Sequence, residues 1–339
     1  MTLFTDAYHA ARARAGLFDR SSRGRLRVSG DDRTSFLHAI LTNDVATLAD
    51  GRGCHALYLT PQGRLIADLD VLDVGEALWL GVDGDLTAPL MQKLDQLIFA
   101  EQVTIEDVGS SMAQWHLCGP DAAAILASIA GLDDEPLARE RLSALGELDH
   151  LRVRIGGHDG RIVRVDATGL AGFDVYVEAG RTAALHGLLV DAGAVDLPAE
   201  VVDALRVEAG IPRFHVDIDE TTIPLEAGLE RQAISFDKGC YVGQEVIVRV
   251  MHRGHGRVAR KLVGLTLSGT VVPPPGRQLV SGDREIGRVT SSILSPALNR
   301  PIALGYVHRD FQEPGTAVEI DAEGARVPAV VTRLPFVSA

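Results

Sequence analysis

The chain has 339 residues, a formal net charge of −13 and an apolar content of 46%. That length and composition predict two or three domains with sizeable cores. The acidic balance excludes non-specific binding to nucleic acid or to anionic membranes, because such binding depends on surplus Lys and Arg.

No apolar run reaches the roughly 20 residues that a membrane span needs. Met1 to Gly16 carries Asp6, Arg12 and Arg14, so it lacks the apolar core of a signal peptide. Cys54, Cys118 and Cys240 stand far apart with no C-x-x-C pair, which predicts a reducing, cytoplasmic setting and no local zinc or redox motif.

In chain order, Leu26 to Val28 reads as a strand and Ser29-Gly30-Asp31-Asp32 as a turn. A helix with Phe36, Leu37, Ile40 and Leu41 follows, with Asp31 or Asp32 placed to cap it. His55 to Thr60 and Arg64 to Val74 read as a hairpin around Pro61-Gln62-Gly63, and Ala77 to Val82 as a third strand. Asp85 opens a helix with Leu86, Leu90, Leu94, Leu97 and Ile98 on one face. Leu117-Cys118-Gly119-Pro120-Asp121, followed by a helix with Ile125, Leu126 and Ile129, matches the earlier scheme. Gly30 aligns with Gly119 and Asp32 with Asp121, a weak internal repeat that points to two related β-α halves.

Strands fill His150 to Glu178, broken at Gly156-Gly157 and Gly169. Helices are predicted at Arg181 to Ala192 and Pro198 to Ala209, with Gly210 as a stop. From Gly254 short β-branched runs alternate with Gly and Pro, which predicts a small barrel or sandwich. Its strands are Val258 to Leu267, Glu285 to Ile293, Pro301 to Val307, Ala317 to Ile320 and Val327 to Thr332. The domains expected are residues 1–253, an α+β region, and residues 254–339.

Four places could carry chemistry. Glu208 shares a helix face with Val201, Ala204 and Leu205. There a carboxylate meets both desolvation and the negative end of the helix dipole. It either sits solvated at the stripe's edge, pairs with Arg206 or Arg213, or accepts from an N–H-rich ligand. Cys240, next to Lys238, is either a nucleophile, redox thiol or labile metal ligand, or a small buried side chain. The basic run Arg249, His252, Arg253, His255, Arg257, Arg260 and Lys261 has no acid within it, and is either a solvated surface or an anion-binding edge. Asp68 and Asp70 share one strand face, with Asp68 a candidate acid/base or a residue of a water-facing edge.

Together these motifs resemble the YgfZ-type folate-binding proteins, relatives of the glycine-cleavage T-protein, a tetrahydrofolate-dependent aminomethyltransferase. The most specific part of the likeness is Lys238-Gly239-Cys240-Tyr241-Val242-Gly243-Gln244-Glu245. The features shared more widely are Leu41-Thr42-Asn43-Asp44-Val45, Gln62-Gly63-Arg64-Leu65-Ile66-Ala67-Asp68-Leu69, Leu205-Arg206-Val207-Glu208-Ala209-Gly210 and Ile223-Pro224-Leu225-Glu226-Ala227-Gly228-Leu229. The resemblance implies an α+β fold with two ferredoxin-like, T-protein-type subdomains and a C-terminal β-barrel around a central channel.

It further implies that tetrahydrofolate, or a one-carbon derivative, is held by Glu208, Asn43, Asp68, Arg231 and Tyr241. We add that Arg249, Arg253 and Arg257 suit a polyglutamate tail. T-proteins carry two adjacent aspartates where this chain has Ala67-Asp68, so one carboxylate is missing and aminomethyl transfer is in question. The function expected is a folate-binding auxiliary of iron–sulfur enzymes, tRNA-modifying ones included, with Cys240 as its functional thiol. Its partners would be iron–sulfur client enzymes or assembly proteins. The alternatives are a folate-dependent aminomethyltransferase or other one-carbon enzyme, and a non-catalytic docking scaffold.

Overall fold

Alternation of period two along Leu65–Asp73 puts Leu65, Ala67, Leu69 and Val71 on a buried face, with Ile66, Asp68 and Asp70 opposite. A strand with one apolar face must find a partner layer, and this rule organises the whole chain. A computed structural model describes residues 3–131, 135–252, 256–322 and 325–338. It divides into two compact units interleaved along the sequence. The first holds Met1–Thr60, Ile66–Pro198 and Gln232–Val242; the second holds Pro61–Leu65, Ala199–Arg231 and Gly243–Ala339.

The five-stranded sheet runs in the order Gly53–Leu59, Leu65–Asp73, Leu78–Val82, Gly24–Ser29, Thr104–Asp107. The six-stranded sheet runs Val195–Asp196, Gly16–Asp19, Met112–Cys118, Gly172–Glu178, His158–Arg164, His150–Ile155. Helices Ala122–Ile129 and Thr182–Asp191 bury Ile125, Leu126, Leu185 and Leu189 in one cluster with Leu117, Phe173 and Val175 of that sheet. A second cluster joins Leu72, Val74 and Ala77 to Leu148, Val163, Val165 and Tyr176.

The internal repeat is visible in the backbone. Gly30 and Gly119 have φ of +104° and +113°, and a Cβ would lie 2.0 Å from the Gln102 carbonyl oxygen and 2.4 Å from that of Ala11. Glycine is therefore obligatory at both turns. Asp32, expected as a cap, occupies the N-cap position without capping its helix by its side chain, and the matching Asp121 does the same. Asp32 Oδ2 instead accepts from the Gln102 N–H at 2.7 Å.

In the second unit, a six-stranded barrel closes in the order Arg260–Leu267, Arg300–His308, Arg284–Ser295, Gln278–Ser281, Ala317–Ala322, Ala325–Thr332. Its interior is filled by Leu265, Leu267, Leu279, Val289, Ala303, Val307, Ile320 and Val331. The strand Gln278–Ser281 escapes the sequence pattern because it is only four residues long and its pairing is bulged between Leu279 and Val280. The expected boundary falls at residues 253–255, outside the described residues. Among the described residues no helix is long and apolar enough to cross a membrane.

Candidate functional site

Glu208 lies in the last turn of helix Ala199–Ala209, which Gly210 ends with φ of +73°. It is 1% exposed, so it does not sit solvated at the stripe's edge. Its Oε1 accepts from Ser295 Oγ and from the Ala297 N–H at 3.2 Å. Ser295 is itself held, its Oγ accepting from the Leu298 N–H at 3.1 Å. Arg206 turns to Asp203 at 2.6 Å and Asp217 at 2.8 Å, and Arg213 to Asp203 at 3.5 Å. A carboxylate buried at the negative end of a helix is tolerated when N–H or O–H donors converge on it. Ser295, 87 residues away, carries no sequence signal for this role.

On the half-buried face of strand Leu65–Asp73, Asp68 and Asp70 stand together as the alternation predicts. Asp68 Oδ1 is hydrogen-bonded to His55 Nε2, across the hairpin. Burial disfavours the imidazolium, but the charge and hydrogen bond of Asp68 outweigh it and raise His55 to about 9. Burial likewise opposes the Asp68 carboxylate, and His55 and Arg23 hold it below the ordinary range. Arg23 reaches Asp70 at 3.4 Å and Asp83 at 3.2 Å. The residue that departs from the T-protein pattern, Ala67, is fully buried on the other face. A carboxylate there would enter the core, so its absence takes nothing from the face that carries Asp68. Sequence reasoning passes over His55, although two alternating strands joined by a hairpin put facing side chains within reach.

The Lys238–Glu245 motif divides between the units after Val242. Lys238 is buried, and its ammonium donates to the carbonyls of His38, Leu41 (2.7 Å) and Asn43 (3.1 Å). Burial pulls it down to about 8, with Asp44 and Cys54 acting the other way. The Asn43 amide donates to the carbonyls of His55 (2.7 Å) and Gln232 (3.2 Å), and its Oδ1 accepts from the Asp44 N–H at 2.9 Å. Tyr241 is buried with the Lys238 ammonium 5.5 Å from its ring centroid.

Gly239 and Cys240 are exposed, which overturns the reading of Cys240 as a buried thiol. The Lys238 ammonium is directed to the carbonyls of His38, Leu41 and Asn43. Burial pushes Cys54 up to about 12 and Cys118 up to about 11, so neither offers a thiolate near neutrality. Iodoacetamide at pH 8 should therefore label Cys240 in native protein and the other two only after unfolding; equal labelling at all three by mass spectrometry would contradict this exposure.

Gly243 precedes helix Gln244–His252, which Gln244 and Glu245 begin and on which Arg249 is exposed. Arg231 and Arg257 are exposed as well, and Arg253 lies outside the described residues. Arg260 and Lys261 are engaged internally, with Glu226 at 2.9 Å and the Leu225 carbonyl at 2.6 Å. Thus His55 meets Asp68, and Asn43 meets Lys238, in the first unit, while Glu208, Arg231, Gln244, Glu245, Arg249 and Arg257 belong to the second. Among the described residues no group of three or more His, Cys, Asp or Glu is placed to hold a metal ion.

Residues 2–238 match the GCVT N-terminal domain, and residues 260–338 match the glycine cleavage T-protein C-terminal barrel domain. An aminomethyltransferase from Nostoc sp. is 31% identical over 98% of this chain and 87% of its own length. One from Streptomyces coelicolor is 32% identical over 96% of this chain and 87% of its own. The crystal structure of glycine cleavage system aminomethyltransferase T from Bartonella henselae superposes with a TM-score of 0.87 at 26% identity, covering 98% of this chain and 89% of that one. With both domains matched over nearly its whole length, the chain belongs to the glycine cleavage T-protein family.

Proposed function

We propose that the chain binds tetrahydrofolate and handles a one-carbon unit on it, in a reaction of the aminomethyltransferase type. The observation that carries this reading is the Asp68–His55 pair on the strand face opposite Ala67. Similarity to proteins named aminomethyltransferase across nearly the full chain supports it too.

Glu208 would take the pterin, whose adjacent N–H groups suit a buried carboxylate that already draws donors from Ser295 and Ala297. Asp68 would exchange a proton at the folate nitrogen, the atom at which the cofactor carries its carbon. Asn43, Arg231 and Tyr241 would border the ligand. Arg249 and Arg257, with Arg253, would attract a polyglutamate tail.

A second reading is supported by the exposed Cys240 within a motif resembling that of YgfZ-type proteins. In it the folate-bound protein assists iron–sulfur client enzymes, including tRNA-modifying ones, through that thiol. One-carbon transfer has no evident use for it.

Calorimetry with tetrahydrofolate is expected to show affinity lower by about 10- to 100-fold for Glu208→Ala, as for the loss of a charge-assisted hydrogen-bond acceptor. Equal affinity for both proteins would defeat the proposed pterin site. Formation of methylene-tetrahydrofolate from an aminomethyl donor, lost in Asp68→Asn, favours the transfer reading. No product, together with failure of Cys240→Ala to complement a strain with defective iron–sulfur enzymes, favours the auxiliary one.

A further inference from the structure

The face that carries Asp68 is crowded with charge: His55 and Arg23 stand against Asp68, Asp70 and Asp83. Burial alone would drive an unpartnered Asp68 toward its neutral form. His55 prevents this. It approaches from the neighbouring strand, its own carbonyl accepting from Asn43 Nδ2 at 2.7 Å. The imidazole takes Oδ1 of Asp68, and among the described residues Oδ2 makes no further hydrogen bond. Both side chains keep about a fifth of their surface exposed.

We propose that His55 is the positioning residue for Asp68, holding one carboxylate oxygen fixed and the group ionised so that the other exchanges a proton with the folate nitrogen. The role rests on the proposed function. In the exchange Asp68 Oδ2 takes the proton as the N–H bond breaks, the electron pair stays on the nitrogen, and the carboxyl then releases the proton to water. His55 keeps its own proton throughout.

Two measurements test the role. An NMR pH titration should find the His55 imidazole titrating near 9 in the wild type. In Asp68→Asn it should fall toward the ordinary value of about 6.5, with Asp70 and Arg23 left as the charged groups facing it. Unchanged titration in Asp68→Asn would overturn the pairing, with or without a ligand. The second measurement follows the dissociation constant for tetrahydrofolate against pH. In His55→Gln, which keeps a hydrogen-bond donor but loses the charge, the acid limb should move up by about one pH unit. Superimposable profiles for wild type and His55→Gln would overturn the positioning role. Absence of binding by the wild type at every pH would defeat the functional reading and the role built on it, whereas the imidazole titration decides the Asp68–His55 pairing independently of any ligand.

Discussion

Asp174→Ala is expected to lower the unfolding free energy by about 3–5 kcal/mol, the loss typical when one partner of a buried ion pair is removed. Asp174 is 1% exposed on strand Gly172–Glu178, directly opposite His116. Arg20 donates to both its oxygens at 3.0 and 2.9 Å, Gln114 donates at 2.6 Å, and His116 Nδ1 lies 2.7 Å away. Gln114 in turn accepts from Arg25 at 3.3 and 3.1 Å, and Arg25 reaches the carbonyls of Gly109 and Met112. The network therefore ties the link between strands Gly16–Asp19 and Gly24–Ser29 to the six-stranded sheet. Alanine would leave Arg20 and His116 desolvated beside an empty space, whereas Asp174→Asn keeps an acceptor and should lose less.

The pH dependence has a definite sign. Burial pushes the Asp174 carboxyl up, but Arg20 and His116 outweigh it and hold it well below the ordinary carboxylate range. A depressed acid stabilises fully above its unfolded value of about 3.9 and loses that contribution as pH falls through its folded value. Chemical denaturation should find the gap between wild type and Asp174→Ala flat from pH 5 to about 8 and narrowing below about pH 4. A loss under about 1 kcal/mol at pH 7 would mean that the network relaxes around the substitution.

How much of this is legible in the sequence depends on range. Periodicity finds the hairpin around Gly63, helix Ala199–Ala209 with its stop at Gly210, and five of the six barrel strands, because each signal lies within a dozen residues. The repeated turn at Gly30 and Gly119 is legible too, since positive φ selects glycine locally. Side-chain roles are not, as with Asp32, whose carboxylate serves a backbone N–H 70 residues away instead of its own helix.

The candidate site follows the same division. Glu208 draws attention because a carboxylate in an apolar stripe is anomalous on its own. Ser295 and the Asp174 network are silent, since an isolated Ser or Asp carries no pattern until the chain folds. The Ala67 departure shows a second limit: the missing carboxylate matters to sequence reasoning only while the face it would occupy is left out of account. Strand alternation makes adjacent positions point to opposite sides, and Ala67 faces the core.

Lys238→Met tests what the opening of the motif is for, and the expected loss is about 3 kcal/mol. Methionine keeps the buried stem but removes every donor, stranding the carbonyls of His38, Leu41 and Asn43. Those carbonyls end helix Arg33–Ile40 and begin the turn in which Thr42 and Asn43 grip the returning chain. Thr42 Oγ1 donates to the Ala233 carbonyl at 2.6 Å and accepts from the Leu57 N–H at 2.8 Å, while the Ser235 N–H donates to the Thr42 carbonyl at 3.0 Å. Losing the staple should free this joint, so hydrogen exchange at Thr42, Leu57 and Ser235 should quicken by roughly 100-fold. Lys238→Arg should not restore protection, because a planar guanidinium cannot replace a compact ammonium among three converging carbonyls. Cys240→Ala should leave exchange untouched, since Cys240 is exposed. If Lys238→Met instead exchanges like the wild type, the lysine is not an architectural staple. If it behaves as expected, the motif divides into a lysine that anchors the segment and a thiol displayed two residues later, and the two can be separated by mutation.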